Sequence, residues 1–176
     1  SGSRTAIPGY LLAKSSNAKI IYIGTPKFRI MKKFDGIVST KKDLSDVFKV
    51  IPTVLPPTKF VPYSDSQISS ANSLVLIGGD GSGYDYGEKD WYRLAYEFNS
   101  IETTFINSRR TPKYAWENLK DNKGNKHQFL DLEKTSFEAL QDAIDSHGNI
   151  FVTADSTSMI VEIITRGYFV NVIELR

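Results

Sequence analysis

From residue 74 onward, short apolar runs alternate with longer amphipathic segments, and that alternation leaves few folds open. Leu74–Gly78, Thr103–Asn107, Gln128–Leu132, Ile150–Thr153 and Phe169–Leu175 read as strands. Between them, Glu88–Asn99, Pro112–Asp121, a segment from Thr135 to Ser146 and a last one ended by Gly167 read as helices. Pro112 suits a first helical turn, where its missing N–H costs nothing. Thr135-Ser-Phe-Glu138 has the spacing of a capping box. Strands separated by helices pair in parallel, because a parallel neighbour needs a long crossover whose apolar stripe then covers the sheet. The expectation is an α/β fold: a Rossmann-like parallel sheet with helices on both faces, joined by right-handed crossovers.

Upstream the pattern breaks. Pro52, Pro56, Pro57 and Pro62, followed by Ser64-Asp-Ser-Gln-Ile-Ser-Ser-Ala-Asn72, form a linker. Before it stand a helix over Thr5–Ser15 and strands over Lys19–Ile23, Phe34–Ser39 and Val47–Val54. These divide the chain into a partial N-terminal α/β lobe (4–62), a linker (63–72) and a Rossmann-like lobe (73–176). Sixty residues that open on a helix read as the tail of an α/β domain whose first strands are missing.

Composition narrows the chemistry. Hydrophobic residues make up 40% of the chain, ample for a core, and with no cysteine there is neither a disulfide framework nor a zinc–thiolate site. His127 and His147 are too far apart in sequence to suggest a metal cage. No apolar run reaches the ~20 residues that span a bilayer, and no signal peptide is evident. A cytoplasmic protein is expected, at most peripheral to the inner membrane. Charge is uneven: residues 1–60 carry 11 Lys/Arg against 3 Asp/Glu, a net of +8, and the remainder is net −6. The basic part, with Lys27, Arg29, Lys32, Lys33, Lys41 and Lys42, suits an anionic membrane surface or an anionic glycan or lipid acceptor. Nucleic acid is not expected, since no recognition helix or aromatic RNA-binding signature accompanies the charge.

Three strand-to-helix turns fall on one edge of the expected sheet. The first, Gly78-Gly-Asp-Gly-Ser-Gly83, lets the backbone approach a phosphate without a Cβ in the way. It is not the dinucleotide fingerprint, because the helix begins only near Glu88. Nor is it an EF-hand, because Tyr84 and Trp91 stand where oxygen ligands are needed. The second, Asn107-Ser-Arg-Arg-Thr-Pro112, places Arg109 and Arg110 at a strand mouth before a Thr111 N-cap, an arrangement suited to a diphosphate. The third, Thr153-Ala-Asp-Ser-Thr-Ser158, leads into a helix that carries Ser158 and Glu162 on one face. Ordinary capping there needs only one polar side chain. A carboxylate one turn into that helix can accept hydrogen bonds from sugar hydroxyls.

Taken in order, G-G, S-R-R-T-P and V-T-A-D-S-x-S-M-x-x-E-x-x-x-x-G resemble the mitochondrial fission factor family named for elongated mitochondria. Arg4-Thr-Ala-Ile-Pro and Phe34-Asp-Gly-Ile-Val extend the resemblance over nearly the whole chain. Members look like GT-B glycosyltransferases, with two Rossmann-like lobes of which the C-terminal one binds a nucleotide-sugar donor. The resemblance implies that Glu162 holds the ribose, that Ser156 and Ser158 meet the diphosphate, and that Arg109 or Arg110 offsets leaving-group charge. It implies further that the loop of Gly79, Asp80, Gly81, Ser82 and Gly83 closes over the ligand. Thr111, Asp155 and Met159 complete the expected donor site. No metal or further cofactor is implied, because arginines and a helix dipole can stabilise the departing diphosphate.

Two other readings stand beside it. The plant branch of the family is implicated in recruiting a dynamin-like protein, so a non-catalytic scaffold is the alternative. Gly78-Gly-Asp-Gly81 also looks like the G-G-D-G-T motif of NAD and diacylglycerol kinases, in which the aspartate is catalytic. Here Ser82 replaces the threonine, and no second glycine–threonine motif follows. The chain lacks most of an N-terminal lobe, where acceptor site and catalytic base would lie, and reads as a fragment or a degenerate member.

Overall fold

A computed structural model describes residues 6–41, 49–56, 58–60, 62, 71–79, 83–122 and 126–175, with Phe28 by its backbone alone. The chain divides into two compact units, Ser1–Lys59 and Phe60–Arg176.

The first unit comprises α1 (Ala6–Ser15), β1 (Ile21–Ile23), α2 (Phe28–Met31), β2 (Gly36–Ser39) and β3 (Val50–Pro52). Its three strands are parallel in the order β1-β2-β3. Tyr22 and Ile37 from the sheet bury against Ala6, Met31 and Phe34, and the Asp35 carboxylate accepts the Ile20 N–H at 2.8 Å. Helix α2 has no counterpart among the expected elements, since four residues are too few to show a period. Residues 47 and 48 of the expected third strand lie outside the described residues.

The second unit contains every strand and helix expected of it. These are β4 (Ser73–Leu76), α3 (Glu88–Glu97), β5 (Thr103–Ile106), α4 (Lys113–Asp121), β6 (His127–Leu130), α5 (Phe137–Ser146), β7 (Asn149–Thr153), α6 (Thr157–Arg166) and β8 (Asn171–Ile173). All five strands are parallel, in the order β6-β5-β4-β7-β8. The chain builds outward from β4 through β5 to β6, then returns to lay β7 on the other side of β4. A reversal of this kind opens a crevice at the carboxyl ends of the two central strands, where open α/β sheets bind their ligands.

Strand alternation divides the core. Val75, Ile77 and Phe105 face α3 and α4, meeting Trp91, Leu94, Trp116 and Leu119. Leu74, Leu76, Ile106, Ile150 and Val152 face the other way, toward Ile144 of α5 and Ile163 of α6. Strand β4 is buried at all four positions, as a central parallel strand covered on both faces must be.

Three local details differ from expectation. The cap of α5 is shifted by one residue. Thr135 donates its hydroxyl to the Asp131 carbonyl at 2.8 Å, closing the preceding turn. Ser136 therefore caps, accepting from the Ala139 N–H at 3.1 Å. Strand β8 is also shorter than the apolar run Phe169–Leu175, pairing with β7 only over Asn171–Ile173 and leaving Phe169 exposed. The cause is the end of α6. Gly167 takes φ +101°, and its N–H bonds Ile164 while the Tyr168 N–H reaches Ile163, a Schellman closure that occupies the residues before the strand. The third detail, at Thr111, belongs to the site.

Arg166 anchors the same region. It is buried, and its guanidinium pairs in two contacts with the Asp145 carboxylate, which also accepts the Tyr168 hydroxyl at 3.1 Å. Among the described residues no helix is long and apolar enough to cross a membrane.

Candidate functional site

The turns after β4, β5 and β7 meet at the carboxyl edge, and Asp155 holds them together. It is 2% exposed. One carboxylate oxygen accepts the Thr153 hydroxyl at 2.7 Å. The other accepts the Gly79 N–H at 2.9 Å and pairs with the Arg110 guanidinium at 2.9 Å. One side chain thus joins the glycine turn, the arginine turn and its own turn. A buried carboxylate survives only when so satisfied.

The remaining bonds close the frame. Thr153 Oγ1 accepts the Gly78 N–H at 2.7 Å. The Gly78 carbonyl accepts the hydroxyls of Ser108 at 2.7 Å and Thr111 at 2.5 Å. Both glycines are required by contact. A Cβ on Gly78 would lie 2.1 Å from an Asp155 oxygen, and one on Gly79, at φ +153°, would lie 2.0 Å from the Arg110 carbonyl.

The structure brings Gly79, Arg110, Thr111, Asp155 and Ser156 into one cluster, with Arg109 exposed on the same turn. The expected Thr111 N-cap is corrected: Pro112 occupies that position. Thr111 Oγ1 instead accepts the Ser108 N–H at 2.8 Å and turns inward to β4. Thr111 and Asp155 form the frame of the site rather than its exposed surface. Gly83, at φ +87°, has open space where a Cβ would stand. Asp80, Gly81 and Ser82 lie outside the described residues.

Helix α6 enters this edge with its first turn open. Its N-cap is Ser156, a residue type that ordinarily accepts one of the first N–H groups. Here the Ser156 side chain makes no capping bond, because its Oγ accepts from Arg110 Nη2 at 3.1 Å. Ser156 is buried, Thr157 and Ser158 are exposed, and Met159 and Glu162 are half-buried. The N–H groups of Thr157, Ser158 and Met159 have no partner among the described residues. Three convergent N–H groups at the positive end of a helix are a ready anion site.

Charge at the edge is asymmetric. The Arg110 charge is balanced by Asp155, and its side chain is 40% exposed. Arg109, exposed, has no ion-pair partner among the described residues. No group of three His, Asp or Glu side chains among the described residues is placed to hold a metal ion.

Sequence reasoning placed Gly78, Ser108 and Thr153 within the three turns but assigned none of them a role in the site, and it did not single out Tyr86. Ser108 and Thr111 carried a signal in their i, i+3 spacing after a strand, which suits a turn closed by two hydroxyls. Thr153 carried none that separates it from a surface polar residue, and Asp155, expected in the donor site, carried none that marks it as the buried joint. Tyr86 sits on the return of the glycine turn and is buried. Its ring contacts Trp91 edge-on at 5.4 Å. Burial, and then the Asp155 charge, push its phenol up to about 12.

No curated protein matches the sequence. Among solved structures, the chain is similar to the crystal structure of Acinetobacter baumannii MurG, a GT-B glycosyltransferase, at 15% identity and a TM-score of 0.48. The match covers 99% of this chain and 50% of that one, so the chain spans about half the length of that structure. The family model for mitochondrial fission ELM1 matches residues 1–176, taking in all three turns of the carboxyl edge, and the chain belongs to the mitochondrial fission ELM1 family.

Proposed function

We propose that the second unit is the donor-binding lobe of a GT-B-like glycosyltransferase and takes a nucleotide-diphosphate sugar at the carboxyl edge of its sheet. The observation that carries this reading is the open first turn of α6. Its capping serine is held away by Arg110, so the N–H groups of Thr157, Ser158 and Met159 stay available to an anion. A diphosphate fits that turn, with the Ser158 hydroxyl beside it and the exposed Arg109 adding a positive charge from the neighbouring turn. Arg110 serves indirectly, by fixing Ser156 and Asp155. Glu162, one turn along from Ser158, accepts the ribose hydroxyls. Charge accumulates on the diphosphate as the glycosyl bond breaks, and fixed N–H dipoles with Arg109 stabilise it without reorganising. The anionic acceptor proposed for this chemistry fits the basic first unit, where Lys27, Arg29, Lys32, Lys33 and Lys41 are all exposed.

Titration calorimetry with UDP, GDP and their sugars tests the reading. Binding is expected, weakened about tenfold or more in Glu162→Ala, since hydrogen bonds to a charged group contribute roughly 1.5–3 kcal/mol. Absence of binding by every nucleotide, or equal binding by the variant, would refute it and favour the scaffold role.

A further inference from the structure

Helix α1 reverses the usual order of a surface helix, which buries its large apolar residues and exposes the rest. Its small residues face inward. Ala6 is buried with Tyr22, Met31 and Phe34, and Gly9 lies so close that a Cβ there would stand 3.7 Å from Ile20 Cδ1. Its large aliphatic residues point out, with Ile7 55%, Leu11 59% and Leu12 70% exposed. Single exposed apolar side chains are ordinary, but three on one ten-residue helix form a patch, and such patches mark surfaces with an occupant.

Charge selects the occupant. Ile7, Leu11 and Lys14 follow at i, i+4 and i+7 and form one exposed column along the helix. Beside α1, the Lys33 ammonium lies over the Tyr10 ring, 5.0 Å from its centroid. Lys27, Arg29 and Lys32 are exposed in and around α2. None of these five cations has an ion-pair partner among the described residues. Asp35 is the only acid among the described residues of this unit, and its carboxylate is engaged by the Ile20 N–H. Aliphatic side chains set among cations match an anionic bilayer, where acyl chains lie directly beneath negative headgroups. A protein groove that receives a helix reads apolar anchors through i+7. Here that position is Lys14, whereas lipid packs around the patch without needing a register.

We propose that α1 is the membrane-contacting element of the first unit. It lies along an anionic bilayer surface with Ile7, Leu11 and Leu12 below the headgroups, while Lys14 and Lys33 meet lipid phosphates. The contact is peripheral, since α1 has ten residues against the ~20 that span a bilayer. Neither part suffices alone: a small apolar insertion and a few lysines are each weak, and their contributions add. The proposal stands independently of the nucleotide-sugar reading, which concerns the second unit.

Co-sedimentation of the whole chain with vesicles tests it, using phosphatidylcholine alone and phosphatidylcholine mixed with phosphatidylglycerol. Binding is expected to the mixed vesicles only, falling as salt is raised. The double variant Leu11→Ser/Leu12→Ser should bind them about tenfold more weakly or worse. Lys14→Gln and Lys33→Gln should each lose about fivefold. All four side chains are exposed, so the variants should fold as wild type does. The inference is overturned if wild type binds both kinds of vesicle equally, or if the leucine variant binds the anionic ones as well as wild type. Failure to bind either vesicle also overturns it and leaves an acidic protein as the occupant. So does a lipid-free dimer, seen by light scattering, that the leucine variant breaks, since a second copy would then cover this face.

Discussion

Replacing Asp155 by asparagine tests the frame with the least change of shape. The carboxylate accepts from Gly79, Thr153 and Arg110 at 2.7–2.9 Å, whereas an amide of the same outline offers one acceptor oxygen and one donor. In its better orientation the oxygen faces Gly79 and Arg110, and the amide nitrogen faces Thr153. Thr153 Oγ1 already accepts the Gly78 N–H but has a second lone pair, so it can reverse its role. Two losses remain. The bonds to Gly79 and Thr153 lose their charge assistance, roughly 1 kcal/mol together. The pair with Arg110 is lost as an ion pair, and because that arginine is 40% exposed the loss is discounted to ~0.5–1 kcal/mol. The sum is ~2 kcal/mol, or a melting point lower by ~8 °C for a unit of this size.

Asp155→Ala goes further, leaving the Gly79 N–H without an acceptor and a void beside Gly78, at ~4 kcal/mol. Urea denaturation, with m-values checked for constancy, should rank wild type above asparagine above alanine. Both variants within 0.5 kcal/mol of wild type, or alanine no worse than asparagine, would show that the three turns are held by something other than this carboxylate.

Two other perturbations probe separate parts of the chain. Asp145→Ala removes the carboxylate paired with the Arg166 guanidinium, whose side chain is 9% exposed, and should cost ~3–5 kcal/mol by the same denaturation assay; a loss below 1 kcal/mol would mean that the arginine's other contacts or water compensate for it. Tyr86 predicts an alkaline effect. Its folded pKa is raised from 10.0 to about 12, so the folded state holds the proton more tightly. The stability it lends is complete below pH 10 and is lost as pH rises toward 12, by up to ~3 kcal/mol. Denaturation curves at pH 9, 10.5 and 12 should fall more steeply for wild type than for Tyr86→Phe, and parallel curves would exclude the effect.

The helices of the second unit were legible because each is long enough to show a period, and the strands because they are short apolar runs set between those helices. Their parallel pairing followed from the alternation itself. The errors lie where two residues could do one job. Thr135 and Ser136 both suit a cap, and only the closure onto Asp131 decides between them. Thr111 has the composition of an N-cap but is drawn inward by the Gly78 carbonyl of another strand. Arg109 and Arg110 were indistinguishable in sequence, and pairing with a residue 45 positions away separates them.

By itself, then, the sequence determined the α/β class, the family and the presence of three polar turns on one sheet edge, since these depend on periodicity and on local residue order. Tertiary structure decided which polar atoms of those turns face inward. It made Asp155 the joint between them, turned Ser156 from cap to arginine partner, and left the first turn of α6 open. A hydrogen bond between strands is set by which carboxyl ends the crossovers bring side by side. That neighbourhood exists only once the sheet has formed, and no spacing along the chain encodes it.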